Sequence, residues 1–135
     1  MATSLVWKDE YSVGVELIDA QHKMFIGIIN ELYTAIIDKK EDSILDDIFK
    51  QLVSYTQFHF QTEERYFDEF NYEDAEAHKA AHQKLCDQIV ELQKQESDIM
   101  KDPFKLLDFL EDWLIDHIMG MDMKYTACFN AHGLK

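Results

Sequence analysis

Five of the six histidines, joined by one glutamate, occupy positions where a helix ordinarily carries a leucine. His22 stands in the series Ile18, His22, Phe25, Ile29, Leu32 and Ile36, which advances by alternate steps of four and three. His59 and Glu63 follow Leu45, Phe49, Leu52 and Thr56 in a second series that continues to Tyr66 and Phe70. His78 and His82 share a third with Ala75, Leu85, Ile89 and Leu92, and His117 closes a fourth after Leu106, Leu110 and Trp113. Such steps mark the seam that a helix presents to its neighbours. A lone histidine on a seam reads as a hydrogen-bonded core residue. This many polar groups need one another, because burying each without a partner is costly.

Spacing narrows the chemistry. His59 and Glu63, like His78 and His82, are four residues apart, on one helix face and about 6 Å from each other. Imidazoles with a carboxylate in an apolar setting suit a divalent transition metal rather than calcium or magnesium. The acidic stretch 38–47 is no calcium loop, since Lys40 replaces a needed Asp or Asn and the central glycine is missing. His132, beyond the seams, reads as a surface residue.

Positioning these groups calls for four long helices. Their expected spans are about 18–38, 43–70, 74–96 and 103–119, with an extended arm over 1–17 and a short helix or tail over 120–135. The arm alternates, with Leu5, Trp7, Tyr11, Val13 and Val15 on one side. Ser43 with Asp46, Asp74, and Asp102 before Pro103 mark helix starts. Short connections make the fold an all-α, antiparallel up-down-up-down four-helix bundle. His22 then lies near a helix start, His59 and Glu63 toward an end, His78 and His82 near a start, and His117 near an end. In an antiparallel bundle those places fall at one pole, so the polar set forms one site.

Composition agrees with one compact domain over 1–135. Thirteen Lys and Arg against 27 Asp and Glu give a net charge of −14, which repels nucleic acid and anionic membrane surfaces. No basic start precedes an apolar run, so no secretory leader is expected, and no apolar run approaches the ~20 residues of a membrane span. Cys86 and Cys128 make neither a disulfide framework nor a Cys-x-x-Cys site and read as reduced, buried thiols. A cytoplasmic location follows.

His22, His59-x-x-x-Glu63, His78-x-x-x-His82 and His117-x-x-x-x-Asp122, with Trp7 and the Ile-Asp-x-Gln-His stretch at 18–22, resemble the hemerythrin family in its bacterial branch. The resemblance runs from about Trp7 to Tyr125. It implies a four-helix bundle holding two non-haem iron ions that bind one O2 reversibly. His78, His82 and His117 would ligate one iron, His22 and His59 the other. Glu63 and Asp122 would bridge both, alongside an oxo or hydroxo group. Those bonds fill eleven of the twelve positions of two six-coordinate ions, leaving one open at the metal with two histidines. In plain helix geometry Asp122 sits about 140° from the face of His117. It reaches the site only if the helix ends, tightens or bulges, which Gly120 is placed to permit.

Phe25, Phe60, Trp113, Leu114 and Ile118 lie beside the ligands and are expected to wall the open position, with Trp113 foremost. Gln21, Thr56 and Tyr125 are candidate hydrogen-bonding supports. The expected function is O2 storage, delivery or sensing rather than catalysis, with O2 as ligand and an oxygen-consuming enzyme as a recipient. Sensing would require a separate partner. The alternative is a di-iron oxidase, peroxidase or nitric-oxide-handling enzyme, against which stands the lack of a seam Tyr, Cys or Lys beyond Tyr66.

Overall fold

The computed structural model describes residues 5–135, so the first four positions of the arm lie outside the described residues. Six α-helices follow in order: α1 Glu16–Ile37, α2 Glu41–Glu69, α3 Ala75–Lys94, α4 Glu96–Lys101, α5 Phe104–Gly120 and α6 Thr126–Ala131. Two 3-10 turns, Asp9–Tyr11 and Asp122–Tyr125, complete the chain, and no strand occurs among the described residues. The long helices α1, α2, α3 and α5 make an antiparallel four-helix bundle, α1 packing on α2 and α5, and α2 on α3.

Both of the first two reversals use the same device. After α1, Lys39 takes φ 57°. Its N–H bonds Ile36 O at 3.1 Å, and the Lys40 N–H bonds Ala35 O at 2.7 Å. After α2, Asn71 takes φ 51°, and the Tyr72 N–H bonds Phe67 O at 2.9 Å. A left-handed residue just past the helix satisfies the last carbonyls and turns the chain back. Neither position is a glycine, and residue type marks only the second stop, since asparagine takes this conformation readily and lysine does not.

The first two helices start two residues earlier than periodicity suggests, and α3 and α5 one residue later. Asp19 reaches back to accept from the Val13 N–H at 2.9 Å and from the Ser12 hydroxyl at 2.5 Å, so α1 begins at Glu16. Ser43 lies inside α2, its hydroxyl donating to Lys40 O at 2.9 Å. Asp74 flanks α3 without a side-chain cap, and α5 starts at Phe104, one residue after Pro103. The loose stretch after Gln95 holds α4, a helix of six residues and too short to show a period.

Apolar side chains fill the bundle away from the histidine pole, among them Ile29, Leu32, Leu52, Ile89, Leu106 and Leu110. The arm buries Tyr11, Val13 and Val15 as alternation requires, while Leu5 and Trp7 are half-buried. Instead of a strand partner, the arm finds Asn30, whose side chain accepts from Leu5 N and donates to Leu5 O, both at 2.8 Å. The second seam shifts by one after Glu63. Phe67 is buried and Tyr66 only half-buried, because a step of four from Glu63 leads to Phe67. Both cysteines are free and half-buried. No described helix is long and apolar enough to cross a membrane.

Candidate metal centre

His22 comes from the second turn of α1, and His59 and Glu63 from neighbouring turns of α2. His78 and His82 come from the first two turns of α3, and His117 from the last turn of α5. Asp122 opens the 3-10 turn that follows. All seven are buried, Glu63 and Asp122 completely. Asp122 escapes the unfavourable direction because α5 ends at Gly120, Met121 moves to φ −118°, ψ −49°, and the next turn tightens. Gly120 contributes no special conformation: its φ is not positive, and a Cβ there would meet nothing within 4 Å.

The donor atoms fall into two groups, each with all members within 4.8 Å of one another. One contains Glu63, His78, His82, His117 and Asp122, the other His22, His59, Glu63 and Asp122. Asp122 faces both groups with different oxygens. Its Oδ1 lies 2.9 Å from Nε2 of both His78 and His117, and its Oδ2 lies 3.0 Å from Nε2 of His22. Oε1 of Glu63 lies 3.2 Å from Nε2 of His59 and of His82, and its Oε2 accepts from the Tyr125 hydroxyl at 2.5 Å.

Unlike the Tyr125 contact, the close approaches between these carboxylates and the imidazoles are not hydrogen bonds. Oε1 of Glu63, both Oδ atoms of Asp122 and Nε2 of His82 are buried without a hydrogen-bond partner among the described residues. So many orphaned polar atoms at one place would be severely destabilising unless something else meets them. Metal–ligand bonds of about 2.1 Å set ligands at right angles about 3.0 Å apart. The measured separations of 2.9 to 3.2 Å match that geometry. The donor set therefore fits a pair of metal ions sharing two carboxylates.

Electrostatics point the same way. Burial and the Asp122 charge press the Glu63 carboxyl upward, yet His59 and His82 hold it below the usual range. Burial likewise opposes ionisation of Asp122, and His117, His22 and His78 outweigh it. Burial lowers the His82 imidazole, but Glu63 and Glu64 prevail and raise it to about 9. For His59 burial wins, and its pKa is lowered. Two ionised carboxylates in one enclosed place attract cationic charge.

Outer nitrogens and aromatic rings fix the imidazoles. His59 Nδ1 lies 2.6 Å from Gln21 Oε1, and His82 Nδ1 lies 2.9 Å from Glu64 Oε2. Phe60 stacks on His82 with centroids 3.8 Å apart at 4°, and Trp113 on His117 at 4.4 Å and 13°. Phe25 reaches Trp113 at 6.2 Å, and Leu114 and Ile118 are buried on the turns of α5 beside Trp113 and His117. Trp113 itself is half-buried, in the groove between α3 and α5 with Lys84 and Met121. Of the three supports expected from sequence, Gln21 and Tyr125 reach ligands. Thr56 does not: its hydroxyl donates to Val53 O at 3.1 Å. His132 is exposed and outside the site.

Sequence reasoning missed Glu64, Tyr55 and Phe67. Tyr55 stacks on His59 at 5.4 Å, and Phe67 lies 4.7 Å from His78. Both stand four residues from a seam ligand, a signal that could have revealed them. Glu64 lies off the seam and carries no such signal.

The sequence model described as the hemerythrin HHE cation binding domain matches residues 13–128. Bacteriohemerythrin of Stenotrophomonas maltophilia is 31% identical over 130 residues, covering 95% of this chain and 83% of that protein. Bacteriohemerythrin of Clostridium acetobutylicum is 32% identical, covering 89% and 97% respectively. The crystal structure of wild-type hemerythrin superposes with a TM-score of 0.80 at 27% identity, covering 93% of this chain and 98% of that one. With matching sequence, bundle and paired donor groups, the chain belongs to the hemerythrin family.

Proposed function

We propose that this chain is a reversible O2-binding protein with a non-haem di-iron centre, serving oxygen storage, delivery or sensing. The observation that carries the reading is the pair of donor groups sharing Glu63 and Asp122, with three histidines on one side and two on the other. In this assignment His78, His82 and His117 hold one iron, His22 and His59 the second, and Glu63 and Asp122 bridge. An iron pair so held would supply two one-electron reductants to a small ligand.

The protein's own residues do the rest. Gln21 and Glu64 orient two imidazoles, and Tyr125 fixes Glu63. Phe25, Phe60, Trp113, Leu114 and Ile118 exclude water and the protons that would turn bound O2 into a released reduced product. Imidazole-rich ligation carries less negative charge than a carboxylate-rich one and stabilises high-valent iron less, which favours binding over O–O cleavage. A cytoplasmic protein handing O2 to an oxygen-consuming enzyme is the working picture.

The competing reading, a di-iron enzyme, draws on Tyr125, a buried phenol bonded to Glu63 that could donate a proton or an electron. One experiment separates the two. Metal-free protein is loaded anaerobically with ferrous iron, assayed for metal, and titrated with O2 while visible absorption is recorded. Two irons per chain and a spectrum reversed under argon support the carrier. Sustained O2 consumption with a reductant supports the enzyme, and full iron with unchanged spectra in H82A would refute the ligand assignment.

A further inference from the structure

We infer that Glu64 and Gln21 are positioning residues that make the two halves of the centre electronically unequal; the inference rests on the di-iron reading above. Both act on the outer nitrogen of a ligand histidine. A carboxylate oxygen and an amide oxygen only accept, so His82 donates through Nδ1 to Glu64 at 2.9 Å, and His59 through Nδ1 to Gln21 at 2.6 Å. Each bond fixes the tautomer that leaves Nε2 bare toward the metals.

The two acceptors differ in charge, and that difference is the point. An anionic acceptor draws the Nδ1 hydrogen harder, so His82 gains imidazolate character and becomes a stronger donor than an imidazole bonded to an amide. On the two-histidine side the other outer nitrogen, His22 Nδ1, is buried with no hydrogen-bond partner among the described residues. The charged support thus falls on the three-histidine group, and the two-histidine group has one neutral support and one bare nitrogen. The first metal is biased toward the ferric state, and the second keeps its ferrous affinity.

Gln21 is held in place from both its side chain and its backbone. The Gln21 side-chain nitrogen donates to Thr62 Oγ1 at 3.5 Å, whose hydroxyl donates to Phe58 O at 2.9 Å, and the Gln21 carbonyl accepts from Tyr55 at 2.5 Å. Glu64 is 32% exposed at the side chain. It lines a recess of about 390 Å³ with Phe60, Lys79, His82 and Cys86, so its carboxylate stands at the surface end of the site.

The test compares wild type with E64Q, E64A and Q21E. E64Q preserves the acceptor and removes the charge, E64A removes both, and Q21E adds a charge on the other side. Ferrous titration of metal-free protein, the reduction midpoint of the loaded protein and thermal melting of the metal-free protein are measured. E64Q is expected to retain two irons per chain with a raised midpoint, and Q21E to lower it. E64A should weaken one of the two iron sites about 10- to 100-fold. Opposite shifts in E64Q and Q21E cannot arise from lost packing. Equal midpoints in all loaded variants would overturn the inference while leaving the di-iron reading intact. Failure of wild type to bind two irons would overturn both.

Discussion

The Tyr125 hydroxyl donates to Oε2 of Glu63 across 62 residues of sequence, joining the 3-10 turn after α5 to the middle of the histidine pole. Both groups are buried, and burial with the nearby carboxylates raises the phenol well above its ordinary pKa. The phenol therefore remains a donor at any working pH. Y125F leaves a buried carboxylate oxygen unmet, which should cost about 2 kcal/mol. Thermal melting of metal-free Y125F is expected to fall by several degrees, and iron should dissociate faster from the loaded variant.

The pH response of the metal-free protein has a definite sign. His82 titrates at about 9, above its ordinary 6.5. Its stabilising contribution is therefore complete below 6.5 and disappears as pH rises through about 9. Glu63 and Asp122 are depressed, so their contribution is present above their unfolded values near 4 and is lost as pH falls below them. Melting temperature should decline by about 5 °C between pH 6.5 and 9.5, and again in acid. In H82Q the alkaline decline should shrink. Iron uptake by wild type should release protons near neutrality and strengthen as pH rises, because a ligand imidazole must be neutral.

Stacking of Trp113 on His117 and of Phe60 on His82 predicts a barrier to water. W113A and F60A should each keep two irons but shorten the life of the oxygenated spectrum by about tenfold, a change of about 1.4 kcal/mol in barrier height. W113F, which preserves a ring, should lie much closer to wild type. Decay of the oxygenated absorption in air-saturated buffer measures this.

Two glycines should behave oppositely. Gly14 has φ 71°, and a Cβ there would lie 2.8 Å from Cγ2 of Thr126. G14A is expected to destabilise by about 2 kcal/mol, from strain and from crowding. G120A should be neutral or slightly stabilising, since alanine favours helix and the space is open. Chemical denaturation of both variants tests the pair.

Much of this molecule is legible because seams are periodic and histidines are rare on them. His22, His59, His78, His82 and His117 stand out for that reason, and the antiparallel bundle brings them to one pole. Asp122 could not be derived in the same way. Its place depends on the φ of −118° at Met121 and on a 3-10 turn, neither of which carries a periodic mark, so only family resemblance pointed to it. Glu64 was invisible because its partner is on another helix and off the seam. Thr56 misled because a seam hydroxyl can satisfy itself on its own helix. Lys39 and Asn71 terminate helices by backbone conformation, which residue type suggests for Asn71 and conceals for Lys39.

The arm and the tail meet directly. The Thr126 hydroxyl donates to Val13 O at 2.6 Å, and the Asn130 side chain donates to Gly14 O at 3.1 Å, over separations of 113 and 116 residues. Asp122 hangs from that same junction. His22, His59, Glu63, His78 and His82 belong to α1, α2 and α3, whereas His117 and Asp122 come from α5 and the turn after it, so the cradle is finished from the C-terminal side of the bundle. Closure of the arm onto the tail thus braces the turn that carries Asp122, and loss of either contact should loosen the metal cradle.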